Sequence, residues 1–144
     1  MPIVSTQVLI NAPIEKVWLY LSDIGGEWNP VLQVASGELA SGNTMEMVLL
    51  GPAGIRISFK ADLLDVQDSK IIRWMAYKGI GKIYRGDHSF ELVGVDGGST
   101  KLVQIEKSSG IAACIGMILF GFWTKRSFRK IDNSLKRAVE LSSV

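Results

Sequence analysis

The chain has 144 residues but only one cysteine, one histidine and four prolines. A lone Cys114 closes no internal disulfide, which fits a reducing compartment and a cytoplasmic location. Because Cys114 sits inside an apolar run, it reads as a small buried hydrophobe and not as a reactive thiol. One histidine and one cysteine without ligand-spaced partners do not make a zinc site, so neither a metal nor a cofactor is expected. Charge of one sign is also lacking. Sixteen basic and 14 acidic residues leave a net charge of +2, which argues against a nucleic-acid partner. No phosphate-cradling glycine motif occurs. GIGK (79–82) lacks the length and the following Ser/Thr of a P-loop and reads as a hairpin turn.

A membrane-spanning run is missing too. The apolar stretch GIAACIGMILFGFW covers only 110–123, whereas a spanning helix needs roughly 20 apolar residues. The N-terminus, MPIVSTQVLINAP, has neither the basic region nor the cleavage site of a signal peptide. Shallow contact with a membrane surface stays open, because TKRSFRK follows the apolar stretch directly.

What is present reads as one domain over 1–144. Residues 3–10 are β-branched and predict a strand. Pro13 then opens a short helix with Ile14, Val17, Trp18 and Leu21 on one stripe, and the Gly25–Gly26 pair breaks it. EWNP (27–30) reads as a turn or a second short helical piece. From about 31 to 109 the period becomes two. Ile55, Ile57, Phe59, Ala61 and Leu63 alternate with polar residues, and further strands are predicted at 31–39, 44–50, 70–78, 84–93 and 100–108. Short turns such as SGN, GPAG and DGG between them favour an antiparallel meander. After Gly110 the period returns to 3.6, with Phe128, Ile131, Leu135, Ala138 and Val139 on one stripe and cations on the other faces. The fold class is α+β: a curved seven-stranded antiparallel sheet wrapped around a long C-terminal helix.

Three segments carry a resemblance to a known family. APIEKVW (12–18) is similar to the opening that follows the first strand. EWNP (27–30) with SGEL (36–39) is similar to the passage into the sheet. GDHSFEL (86–92) with GGSTKLVQIEKSSG (97–110) is similar to the last hairpin before the terminal helix. In this order the chain resembles the helix-grip superfamily (SRPBCC), which includes START lipid-transfer domains, birch-pollen-allergen-like proteins and polyketide cyclases/dehydrases. It is most similar to the bacterial polyketide cyclase/dehydrase-like branch. The resemblance implies a hydrophobic small molecule held in an internal cavity. DIGGEWNP is shorter than the family pattern, which predicts a truncated helix and an altered mouth.

Candidate site residues follow from strand parity. If Phe90 and Leu92 face inward, so does His88; if Leu102 does, so do Gln104, Glu106 and Ser108. His88, Gln104 and Glu106 would then share the concave face. That cluster could orient a ligand or simply satisfy itself, and it could also serve acid/base chemistry with His88 and Glu106 as the pair. Trp28, at the mouth passage, and Trp74, on a mid-sheet strand, are the aromatic candidates, with Phe59 and Phe90 as further wall residues. Met117 and Phe120, with Phe122, would belong to a roof formed by 110–123 and loosened by Gly116 and Gly121. Three functions fit: a carrier or sensor of an apolar ligand, a polyketide cyclase/dehydratase-type enzyme, and a membrane-peripheral lipid-transfer accessory protein using Lys125, Arg126, Arg129 and Lys130.

Overall fold

The computed structural model describes residues 2–78 and 83–142, without the side chains of Val34, Lys78 and Met117. GIGK (79–82) therefore lies outside the described residues. Seven strands form one antiparallel sheet in the order β1-β7-β6-β5-β4-β3-β2. They are β1 (Ile3–Ile10), β2 (Leu32–Ser36), β3 (Thr44–Leu50), β4 (Arg56–Gln67), β5 (Ile71–Lys78), β6 (Tyr84–Val95) and β7 (Ser99–Ser109). Helix α1 (Ile14–Leu21) connects β1 to the far edge, and α2 (Ala113–Leu141) closes the chain. From β2 to β7, neighbours in sequence are also neighbours in the sheet, because short connections join strands only antiparallel. This is the α+β helix-grip architecture expected from the sequence.

Period two decides which residues face α2. Ala61, Leu63, Ile72, Trp74, Phe90 and Leu102 are all buried on the concave side. The alternation breaks once in β4, at a bulge after Leu63. The extra residue, Leu64, turns outward, and Val66 returns inward opposite Ile72. The strand thereby extends beyond Leu63 to Gln67 without reversing its faces.

EWNP forms a turn and not a helix. Asn29 holds the turn together: its Oδ1 accepts from the backbone N–H of Val31 and Leu32, while its Nδ2 donates to Ile24 O. Gly25 is needed nearby, because a Cβ there would lie 2.7 Å from the backbone nitrogen of Ala35. The DIGG segment thus packs its backbone directly on β2.

Helix α2 has two unlike halves. Its C-terminal half buries Phe128, Ile131, Leu135 and Val139 in the core. It also runs along the β1 edge, where Lys136 Nζ donates to Leu9 O and Glu140 accepts from Asn11 N–H. Between Ala113 and Ser127, by contrast, no described residue of α2 is buried. Cys114 corrects the sequence expectation: it is exposed, because this half of the helix rests on the sheet along one line only.

Candidate functional site

A pocket of about 570 Å³ opens between the concave face and the N-terminal half of α2. Six strands line it, and most of the wall comes from alternate residues of four of them, as period two requires. Ile57 and Phe59 line it from β4, Trp74 and Ala76 from β5, and Tyr84, His88 and Phe90 from β6. Glu106 and Ser108 contribute from β7. From the helix side come Ala113, Gly116, Phe120, Trp123 and Phe128.

The antiparallel register sorts these side chains into rows. Trp74, His88 and Glu106 lie directly across from one another on β5, β6 and β7. In that row the His88 ring stacks on Trp74, with centroids 4.9 Å apart and planes 16° from parallel. Phe128 of α2 meets the same imidazole edge-on at 4.9 Å, and Phe90 packs beside it. His88 Nδ1 lies 3.8 Å from Glu106 Oε1, too far for a direct hydrogen bond. His88 Nε2 is buried and has no partner among the described residues. The imidazole is thus fixed by three aromatic rings while its polar atoms stay available.

The neighbouring row is Ala76, Gly86 and Ser108. Gly86 matters because it has no side chain. A Cβ there would come within 3.2 Å of Glu106 Oε1 and 3.4 Å of the Tyr84 hydroxyl. The gap lets Tyr84 fold over its own strand to meet Ser108, with 3.0 Å between the two hydroxyl oxygens. Burial, and then the negative charge of Glu106, hold the Tyr84 phenol above its usual pKa, so Tyr84 stays a neutral donor.

The other polar lining groups are partly engaged with the backbone. Asn29 supports its own turn, and Thr124 Oγ1 donates to Phe120 O one helical turn back. The largest cluster of hydrogen-bonding groups in the pocket is therefore on β6 and β7, at Tyr84, His88, Glu106 and Ser108, in a mostly apolar wall.

Of the residues proposed from sequence, Phe59, Trp74, His88, Phe90, Glu106 and Phe120 line the pocket. Gln104, Trp28 and Phe122 do not join them. Gln104 points inward, as parity requires, but it sits one row deeper, opposite Phe90. There its Nε2 donates to Phe128 O and to Asp132 Oδ1. It fastens α2 to the sheet and does not reach the pocket. Trp28 is half-buried against the core and donates its indole N–H to Asp23 O, so its polar end is engaged by the preceding loop. The Met117 side chain lies outside the described residues. Phe122 faces away from the pocket, and it is Phe120 and Trp123 that face in. Tyr84 and Trp123 were missed as site residues. The signal for Tyr84 was present, since it shares parity with His88. That for Trp123 was its position three residues after Phe120 on the same helix face.

Asp132, the partner of Gln104, was missed as well. It is only 2% exposed, and burial raises its pKa despite the hydrogen bond from Gln104. A raised folded-state pKa gives full stability below the unfolded value of about 4 and loses it as pH rises through the folded value. Asp132→Asn keeps an acceptor for Gln104 and removes the charge. The variant is therefore expected to gain thermal stability over the parent between about pH 4 and pH 7. Melting temperatures measured across that range check this; parallel curves for the two proteins would contradict it.

No described helix is long and apolar enough to cross a membrane, and the described residues contain no metal-ligating cluster. No protein-family model matches the sequence, and no curated protein matches it. Solved structures do match. TTHA0849 from Thermus thermophilus superposes with a TM-score of 0.74 at 15% identity, over 99% of this chain and all of that one. The Zhui aromatase/cyclase from Streptomyces sp. R1128 gives 0.76 at 15% identity, over 96% of this chain and 93% of the other. DynU16, from the dynemicin biosynthetic locus, gives 0.70 at 16% identity over 96% of this chain and 47% of its own. The chain has the helix-grip fold, in the form also taken by an aromatase/cyclase.

Proposed function

We propose that the protein binds a small apolar molecule carrying one hydrogen-bonding group, and holds it between the sheet and α2. The observation that carries this reading is the distribution of polarity in the pocket. A volume of about 570 Å³ falls in the range of drug-sized ligand sites. Its wall is mostly aliphatic and aromatic, and the patch of Tyr84, His88, Glu106 and Ser108 gathers polar groups on two adjacent strands, apart from the scattered Asn29, Tyr77, Thr124 and Ser127. A hydrocarbon or ring body would fill the apolar part, and a hydroxyl or carbonyl would meet the patch. Binding and transport of lipid-like or polyketide-like molecules both fit this description. Native mass spectrometry of protein taken directly from cells tests it: a co-purifying apolar small molecule is expected, and a fully unliganded protein that also rejects apolar fluorescent probes would refute it. In the Glu106→Gln variant, a hydroxyl-bearing probe is expected to bind about tenfold more weakly, while a pure hydrocarbon probe binds as before.

A second reading is favoured by one specific observation, the placement of His88 and Glu106 in a single register row. A ligand oxygen seated between them would touch an imidazole and a carboxylate together. Such a pair can take a proton from carbon and return one to a leaving hydroxyl, the chemistry of a cyclase/dehydratase. In this reading Glu106→Gln lowers turnover of a polyketide-like substrate by roughly 100-fold or more. Unchanged turnover removes Glu106 from any mechanism.

A further inference from the structure

The pocket uses only one side of α2. Gly116, Phe120, Trp123 and Ser127 face it. On the opposite side, Ile115, Ile118, Phe122, Arg126 and Arg129 recur at spacings of three and four, with Leu119 and Lys125 beside them. The first half of this outer stripe is apolar and the second half cationic. Its apolar side chains stand in the open: Ile118 is 84% exposed, Phe122 82%, and Ile111, just before the helix, 86%. A helix segment that is hydrophobic on both faces belongs inside protein or against lipid. No part of the described chain covers it.

We infer that this stripe docks the protein on an anionic lipid bilayer, with Ile111, Ile115, Ile118 and Phe122 entering the acyl boundary and the cations behind them meeting lipid phosphates. Charge selects this occupant. Lys125, Arg126, Arg129 and Lys130 are all exposed, and none takes part in an ion pair among the described residues. The acidic residues of α2 are Asp132, which is buried, and Glu140, which is held by Lys136 and Asn11. A second copy packed on the stripe would cover these cations and bring no carboxylate from its own stripe to pair with them, a heavy desolvation penalty. An anionic surface supplies the missing charge. A cleft between β1 and α2, lined by Ser5, Thr6, Gln7, Lys125 and Arg129, adds hydroxyl and amide groups beside two of the cations, the chemistry that a phosphate headgroup needs. Arg129 stands eleven positions after Ile118, about 16 Å along the helix, so a tilted α2 places its N-terminal end in hydrocarbon and its cations at headgroup level. The helix lies in the interface without spanning it, consistent with its failure to qualify as a transmembrane segment.

The inference is independent of what the pocket binds. Flotation with vesicles of phosphatidylcholine alone, and of phosphatidylcholine containing about one third phosphatidylglycerol, tests it at low and high salt. The parent is expected to float with the anionic vesicles at least tenfold more strongly than with the neutral ones, and to lose most of that preference at high salt. Phe122→Asp with Ile118→Asp, and separately Lys125→Gln with Arg126→Gln and Arg129→Gln, are each expected to abolish flotation. All five positions are exposed, and circular dichroism and the melting temperature confirm that each variant folds. Equal flotation with both vesicle types overturns the inference, as does flotation retained in either variant. A dimer seen by sedimentation that the aspartate variant dissolves, without vesicle binding by the parent, also overturns it and assigns the stripe to a second copy.

Discussion

Gly116→Phe is expected to cut binding of an apolar fluorescent probe by at least tenfold while leaving the protein at least as stable as the parent. Gly116 is one of the few pocket-lining positions without a side chain, and a Cβ there meets nothing within 4 Å. Its backbone lies within the helical run of α2, so no positive φ protects it. Replacing glycine within a helix recovers several tenths of a kcal/mol of propensity. A phenyl ring on the pocket side would occupy space that the ligand needs, next to Phe120 one turn away. Probe titration and a thermal melt on the same preparation measure both effects. Unchanged affinity in a stably folded variant would mean that the ligand does not reach this end of the pocket. The smaller change Gly116→Ala keeps the pocket open. It isolates the separate question raised by the sequence, whether a stiffer α2 slows ligand exchange.

Gln104→Leu is expected to destabilise the protein by about 2–3 kcal/mol, although it adds no steric burden. Gln104 is completely buried and donates to two groups of α2, the carbonyl of Phe128 and the carboxylate of Asp132. Leucine leaves the buried carboxylate without this donor, and its pKa then rises further. The loss should therefore be larger at pH 8 than at pH 4, because only the ionised form is stranded. Urea unfolding at the two pH values reads this from the midpoints. Adding Asp132→Asn to the leucine variant should recover part of the loss and erase its pH dependence. Equal losses at both pH values would mean that Gln104 holds α2 through Phe128 O alone.

The two experiments divide α2 at the point where the structure does. Glycine and aromatic residues govern its open N-terminal half, and a polar fastening governs its buried C-terminal half. The Gln104 fastening lies directly beneath the His88 row. A change there could disturb the pocket through the helix, and Gly116→Phe therefore tests occupancy more cleanly.

Much of this was legible in the residue order. Period two in 55–63 and 84–93, and the return to 3.6 after Gly110, determine the strands, their inward faces and the long helix, because side-chain direction along a strand or helix is fixed by local backbone geometry. That parity alone placed His88, Phe90, Gln104 and Glu106 on the concave side. It could not say how far along the groove each one lies. Register between strands and the height at which α2 crosses them are tertiary quantities. They put Glu106 beside His88, and they give Gln104 to Asp132. They also turned Cys114 and Phe122 outward, since an apolar run on a helix shows which residues share a face but not whether anything covers it. The Trp28 indole was claimed by Asp23 O for the same reason: a hydrogen-bond partner is chosen by proximity in space, and only the folded turn brings that carbonyl within reach.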